Sequence, residues 1–308
     1  MNDAQPRARW TARAARLLLA LCLLATPATV VAQSLAIPTL REVSSVRSLG
    51  MGDATRAFAS SDEALWVNPA GMAATTRFNL NASATFDPPN GLQLYSIGSI
   101  DSKLNADKAF PMAGGLSYTY YRSGKGEAKR SGSIVLLGLA LPLWHQDLTI
   151  GVTSKYLRLD GGGAKSNAVT MDAGIVFRPM PILSLGAVGY NLIDIDSPEA
   201  RRAWGFGAAV GHDKGFRLAF DIKLETASQE DDGWKPSFFA GGEILLGGRF
   251  MPRAGYTYDA LRKTHKVCGG LSVFLGILAI EGAYQYAFDD GHVFGFTLRL
   301  LDTGGSSS

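Results

Sequence analysis

From about residue 76 to residue 301 the chain alternates apolar and polar positions in short runs. In "RFNLNASATF", Phe78, Leu80, Ala82, Ala84 and Phe86 take one face, and Arg77, Asn79, Asn81, Ser83 and Thr85 take the other. This period of two is that of a strand with one apolar and one wet face. "GFRLAFDIKLE" repeats it, with Phe216, Leu218, Phe220, Ile222 and Leu224 opposite Arg217, Asp221, Lys223 and Glu225. "VTMDAGIVFR" sets Val169, Met171, Ala173, Ile175 and Phe177 against Thr170, Asp172 and Arg178, and "WGFGAAVG" sets Trp204, Phe206, Ala208 and Val210 against Gly205, Gly207 and Ala209. The pattern predicts fourteen strands, over 76–86, 91–101, 111–122, 131–142, 147–159, 167–178, 181–191, 202–211, 215–226, 235–246, 250–259, 265–274, 276–288 and 292–301. None has helical periodicity, which argues against α/β folds with crossover helices.

The connections also alternate. "YRSGKGEAKRSG", "LDGGGAKSN", "NLIDIDSPEARR", "TASQEDDGWKP" and "DALRKTH" read as longer polar loops, and "PLWHQD", "RPMP", "GHDKG", "LGGR" and "LG" as tight links between them. An even number of strands of about ten residues with this asymmetry is what a bacterial outer-membrane barrel requires. The first two connections run against it: "DPPN" is short where a loop belongs and "SKLNADKAF" is long where a turn belongs. A soluble β-sandwich would give the same alternation. Two features favour the membrane barrel. Inward candidates such as Gly205, Gly207, Ala209 and Gly270 are very small, leaving a wide lumen, and Tyr118, Tyr120, Tyr256, Tyr258, Tyr284 and Tyr286 stand towards strand ends on the apolar face. Aromatics so placed suit an interfacial girdle.

Residues 1–32 read as a cleaved signal peptide: Arg7, Arg9, Arg13 and Arg16, the apolar run Leu17 to Ala25, and the small residues Val30 and Ala32 before a cut at Gln33. Of the chain's 30 Lys+Arg and 27 Asp+Glu, this leader holds four and one, leaving 26 of each. No basic excess is left to argue for nucleic acid. Cys268 is the only cysteine beyond the leader, which excludes a disulfide framework and a cysteine metal site. With 19% charged residues, mean hydropathy is only +0.07. A barrel hides its hydrophobicity in alternate positions, so this low mean is compatible with a membrane protein.

Nothing in the sequence asks for a cofactor or a metal. His145, His212, His265 and His292 lack ligand spacing and read as solvated histidines at strand ends or connections. There is no Gly-x-Ser-x-Gly, and an enzyme is not expected. The inward charges Arg77, Asp172, Arg217, Asp221, Lys223, Glu225, Glu243, Glu281 and Arg299 mix both signs, as expected of a wet lumen.

One stretch stands outside the alternation: "SLGMGDATRAFASSDEALWVNPAGM", Ser48 to Met72. It has a Gly-Met-Gly turn at Gly50, Met51 and Gly52, an acidic-Ala element at Asp62, Glu63 and Ala64, and "NPAG" over Asn68, Pro69, Ala70 and Gly71. Asp62 is placed to cap a short helix, and Pro69 to end it at Asn68. In its order and its position before the strands, this stretch resembles the N-terminal signature of the FadL-type outer-membrane transport superfamily, including its smaller PorV/PorQ-like members. The resemblance implies an all-β, up-and-down transmembrane barrel of fourteen strands with an N-terminal hatch folded into the lumen. The expected organisation is a signal peptide at 1–32, a hatch at 33–75, the barrel at 76–301 and a flexible tail at 302–308. Expected partners are outer-membrane lipids and a small hydrophobic ligand. The alternative is a docking or shuttle role among secretion-machinery proteins, with no transported solute.

Overall fold

The computed structural model describes residues 45–74, 78–102, 111–126, 129–144, 146–161, 164–195, 200–212, 214–226, 233–288 and 291–302. The expected signal peptide, the first part of the expected hatch, Arg77, His145 and residues 303–308 lie outside them.

The described residues form fourteen strands: β1 (Phe78–Asp87), β2 (Leu92–Asp101), β3 (Ala113–Ser123), β4 (Arg130–Trp144), β5 (Leu148–Gly161), β6 (Ala164–Met180), β7 (Leu183–Tyr190), β8 (Ala203–Gly211), β9 (Phe216–Thr226), β10 (Trp234–Ile244), β11 (Phe250–Asp259), β12 (Thr264–Leu275), β13 (Leu278–Ala287) and β14 (Gly291–Asp302). Each pairs antiparallel with its sequence neighbours, and β1 pairs with β14 from Phe78↔Asp302 to Phe86↔Phe294, closing an up-and-down barrel. Closure leaves no strand edge unpaired, the condition for a sheet to stand in hydrocarbon.

The alternation sets the two faces of the wall. On β1, Phe78 and Leu80 are exposed while Asn79 and Asn81 are buried. On β14, Phe296, Leu298 and Leu300 face out and Thr297 and Arg299 face in. Tyr118, Tyr120, Tyr256 and Tyr284 are exposed on the outer face, as the girdle reading expects. His265 and His292 stand at the starts of β12 and β14 and are exposed, with their Nδ1 atoms meeting the hydroxyls of Tyr256 and Tyr284. Leu137 is 58% exposed near the middle of β4. Leu137→Arg is expected to lower folding stability in lipid vesicles by about 2–4 kcal/mol, measured by denaturant titration, because a cation would sit at mid-membrane depth.

Two of the expected longer loops are short. β5 runs to Gly161 and β6 begins at Ala164, and the ladder between them extends to the pair Gly161↔Ala164. The β11–β12 connection is likewise only 260–263, drawn tight because the Asp259 carboxylate accepts from the N–H groups of Leu261 and Arg262 at 3.0 and 3.1 Å. The β4–β5, β6–β7, β8–β9, β10–β11 and β12–β13 links, all short, share the other end of the barrel.

Candidate functional site

Inside the wall lies the segment Ser45–Ala74, almost wholly buried. It contains helix α1 (Val46–Gly50), helix α2 (Glu63–Val67) and a 3-10 helix (Pro69–Ala74). The Ser45 hydroxyl accepts from the Ser48 N–H at 3.1 Å and starts α1. Gly52, at φ +62°, turns the chain out of α1, and its carbonyl accepts from the Thr257 hydroxyl at 2.8 Å. Asn68 is extended (φ −158°, ψ 104°), as the residue before Pro69 must be, and stops α2 there.

Asp62 does not cap α2 with its side chain. Its own backbone is already helical (φ −57°), which turns the carboxylate away from the first N–H groups. The carboxylate meets Arg299 instead, at 3.4 Å. Burial pushes the Asp62 carboxyl up to about 6 from 3.8, against the pull of Arg299. A carboxyl raised on folding is least favourable when charged, so its contribution to stability grows as pH falls through about 6. Asp62→Asn is expected to flatten that part of the Tm profile between pH 7.5 and 5, relative to the parent.

Wall glycines let the segment's backbone approach closely. A Cβ added to Gly241 would stand 2.2 Å from the Met51 carbonyl oxygen, and one on Gly255 would stand 2.3 Å from the Met51 carbonyl carbon. Gly186 is equally tight against Arg56, Gly151 against Pro69, and Gly174 against the Asn68 side chain. Within the segment, Gly71 lies against the Ala59 carbonyl. Asn68 donates to the carbonyls of Arg56 and Ile175 at 2.8 and 3.2 Å, and its Oδ1 accepts from the Ala70 N–H.

Charges tie segment and wall together in two groups. Arg47 on α1 holds Glu243 of β10 through two nitrogens, at 2.5 and 3.2 Å, and reaches Glu63 at 3.2 Å. Glu243 is shared with Arg217 at 3.1 Å and Arg253 at 3.7 Å, while Glu281 takes Arg253 at 3.2 Å and Arg299 at 2.8 Å. In the second group the Asp221 carboxylate accepts from both the backbone N–H and the guanidinium of Arg56, at 2.8 and 3.0 Å. Arg56 also lies over the Phe239 ring at 4.6 Å. Nearby, Asp172 pairs with Lys155 at 2.6 Å and Lys223 with Glu225 at 3.0 Å. These two pairs join wall residues, whereas Glu243, Asp221 and Arg299 reach the segment directly. Charged pairs this deep offset the cost of burying each other, which is large when one partner is lost.

Sequence reading missed Arg47, Arg56, Lys155 and Arg253 as members of these groups. For Arg47 and Arg56 a signal existed: isolated arginines in an otherwise small and apolar stretch. It also missed that the lumen is apolar at the end away from the short links. There Leu92, Leu94, Tyr121, Ile134, Leu136 and Leu157 are buried in one cluster with Leu65 and Met72 of the segment. The sign was in β4, where "IVLLGLALPLW" loses its alternation and is apolar on both faces. Among the described residues no group of His, Cys, Asp and Glu side chains could hold a metal ion.

No protein-family model matches the chain, and none of the curated proteins matches it. Solved structures do. The Ralstonia pickettii toluene transporter TbuX matches with a TM-score of 0.59 at 13% identity, over 85% of this chain and 98% of that one. The CymD monoaromatic hydrocarbon channel matches with a TM-score of 0.58 at 11% identity, over 83% and 98%. A Pseudomonas aeruginosa FadL homologue matches with a TM-score of 0.57 at 13% identity, over 86% and 98%. At these identities the likeness is one of fold.

Proposed function

We propose that this chain is an outer-membrane channel for small hydrophobic compounds, with Ser45–Ala74 acting as its hatch. The observation that carries the reading is the apolar lining of the lumen by Leu92, Leu94, Ile134, Leu136 and Leu157, in contact with Leu65 and Met72 of the segment. A water-filled porin has a polar interior. Here an apolar compound would be desolvated before it reaches the segment, and its burial supplies the driving force for entry. The fold it shares with a toluene transporter and a monoaromatic hydrocarbon channel supports the same reading.

Passage then requires the hatch to yield locally. The Asn68–Pro69 region, seated on Gly151 and Gly174, lies beside the apolar cluster and away from the Arg47–Glu243 anchor. A movement of the 3-10 helix would open a way while the charged groups hold α1. An exit through the wall has its place at β7, whose pairing with β6 runs only over Ala173–Met180.

The short connections at 162–163 and 260–263 favour a second reading, a PorV/PorQ-like docking or shuttle component without a transported solute. Native mass spectrometry of protein extracted gently from its own outer membrane separates the two. A retained small apolar molecule, lost from a variant lacking residues 45–74, supports the channel. A protein partner bound to a chain with an empty lumen overturns it.

A further inference from the structure

In barrels of this kind the short turns are periplasmic, so the end opposite the β4–β5, β6–β7 and β8–β9 links faces outward. There the lipid-facing side of β2–β5 runs through a graded series of rows set by the strand register. The row nearest the rim is Gln93↔Arg122↔Ser131, polar and cationic. The next is Tyr95↔Tyr120↔Ser133↔Arg158, and the third is Ile97↔Tyr118↔Val135↔Tyr156. Below them stand Leu116 and Leu137, paired across β3 and β4 and both exposed. A cleft of about 660 Å³ opens on the uppermost rows. Arg122, Lys129 and Arg130 line it together with Gln93, Tyr120 and Ser131, and no carboxylate stands among the described residues that line it. Over residues 122–130 the sequence sets Arg122, Lys125, Lys129 and Arg130 against Glu127 alone. The Gly124 N–H donates to the Asn90 carbonyl at 3.1 Å, which ties one side of the cleft to the β1–β2 turn. That turn is held in its own right: the Asp87 carboxylate accepts from the backbone and side-chain N–H groups of Asn90 at 3.2 and 2.9 Å. On β11–β14 the same end presents Tyr256, His265, Tyr284 and His292 on the outer face instead.

We infer that this cleft binds the headgroup of an outer-leaflet lipid, a phosphorylated glycolipid, whose acyl chains lie along Tyr118, Leu116 and Leu137. Guanidinium forks match phosphate oxygens in shape as well as charge, and a lysine beside them adds a point charge. Clustered cations at a membrane surface draw anionic headgroups, and tyrosines just below them belong at the interface between headgroup and hydrocarbon. A lipid fits better than a free anion because the cleft opens directly onto the lipid-facing wall. A headgroup can seat among the cations while its chains stay in hydrocarbon. The volume lies within the range of small-molecule sites. The site is on the outer wall, apart from the lumen, so it stands whether or not a solute crosses the channel. Seated there, the lipid would hold the β2–β5 sector at one depth in the membrane.

The test is native mass spectrometry of the full chain, folded in a non-ionic detergent and titrated with three probes. These are bisphosphorylated lipid A, the same lipid freed of both phosphates, and inorganic phosphate. Lipid A is expected to form a one-to-one adduct at a concentration at least roughly tenfold below that needed for the dephosphorylated lipid, since charge-assisted hydrogen bonds separate the two. Inorganic phosphate is expected to displace lipid A only in large excess, because it gains nothing from the apolar wall. Arg122→Gln combined with Lys129→Gln should weaken lipid A roughly thirtyfold, about five- to sixfold for each cation, and leave the dephosphorylated lipid unchanged. Both side chains are exposed, and heat-modified migration on gels checks that the barrel of the variant is intact. Lys263→Gln, between β11 and β12 at the same end, should leave lipid A binding unchanged. Equal binding of the two lipids would overturn the inference, as would parent-like affinity in the double variant. Phosphate displacing lipid A at a comparable concentration would mark a free-anion site and overturn the lipid assignment. An equal loss in Lys263→Gln would mean that general surface charge holds the lipid, and the cleft would fall as its site.

Discussion

Gly241→Leu combined with Gly255→Leu is expected to turn a nearly closed barrel into a conducting pore. The two glycines face the same backbone, that of Met51, at 2.2 and 2.3 Å from a notional Cβ. Backbone cannot move aside as the end of a flexible side chain can, so each leucine displaces the segment or strains the wall. Overpacking of this kind costs about 1–3 kcal/mol per site. Two sites together shift a seated-to-unseated equilibrium by more than roughly tenfold. The strand pairing Gly241↔Gly255 is made by backbone groups and survives the change, so the barrel itself should still form. Single-channel recording in planar bilayers reads the pore, and heat-modified migration on gels checks the wall. Conductance equal to the parent in a correctly folded variant would show that Met51 is not what seats the segment.

Glu243→Gln carries the second large effect. Glu243 is the carboxylate on which Arg47, Arg217 and Arg253 converge, and its side chain is only 2% exposed. Neutralising it leaves three cations within a few ångströms of one another with their shared counter-charge gone. Breaking a buried group of this kind costs about 3–5 kcal/mol. The loss should appear as a lowered Tm and as faster amide exchange centred on α1, since Arg47 is its charged link to the wall. Glu225→Gln is the control. Its ion pair is with Lys223 on its own strand, so it should cost stability without singling out α1. Equal exchange across the segment in both variants would mean that Arg47–Glu243 is not the anchor.

Much of the wall could be read from the sequence because a strand repeats every two residues and its two faces meet different media. "RFNLNASATF" announces β1 without any knowledge of its partners, and Phe78, Leu80, Asn79 and Asn81 face as it predicts. What could not be read depends on partners distant in sequence. Asp62 before Ala64 and Leu65 looks like a cap, and only the fold places Arg299 beside it. Arg253 sits in a strand whose alternation is interrupted by Gly255, so its inward direction is unremarkable until Glu243 and Glu281 are seen around it. The β5–β6 hairpin shows the reverse error: glycine and polar residues suggested a loop, and backbone pairing extended both strands through it. Polar composition marks a loop only where no neighbouring strand offers a ladder of hydrogen bonds.

The seam between β1 and β14 has a consequence for how the molecule is made. The segment Ser45–Ala74 touches strands from β3 round to β14, and Arg47, Arg56 and Asp62 are each held by a different part of the ring. A chain so enclosed cannot be threaded into a finished ring past its own ion pairs. Since β1 and β14 are the first and last strands to be made, their pairing is the step of longest loop closure and therefore the slowest to be repaid. The order of assembly follows: the early part of the chain is laid down first, the growing sheet curls around it, and the final strand locks the enclosure from outside.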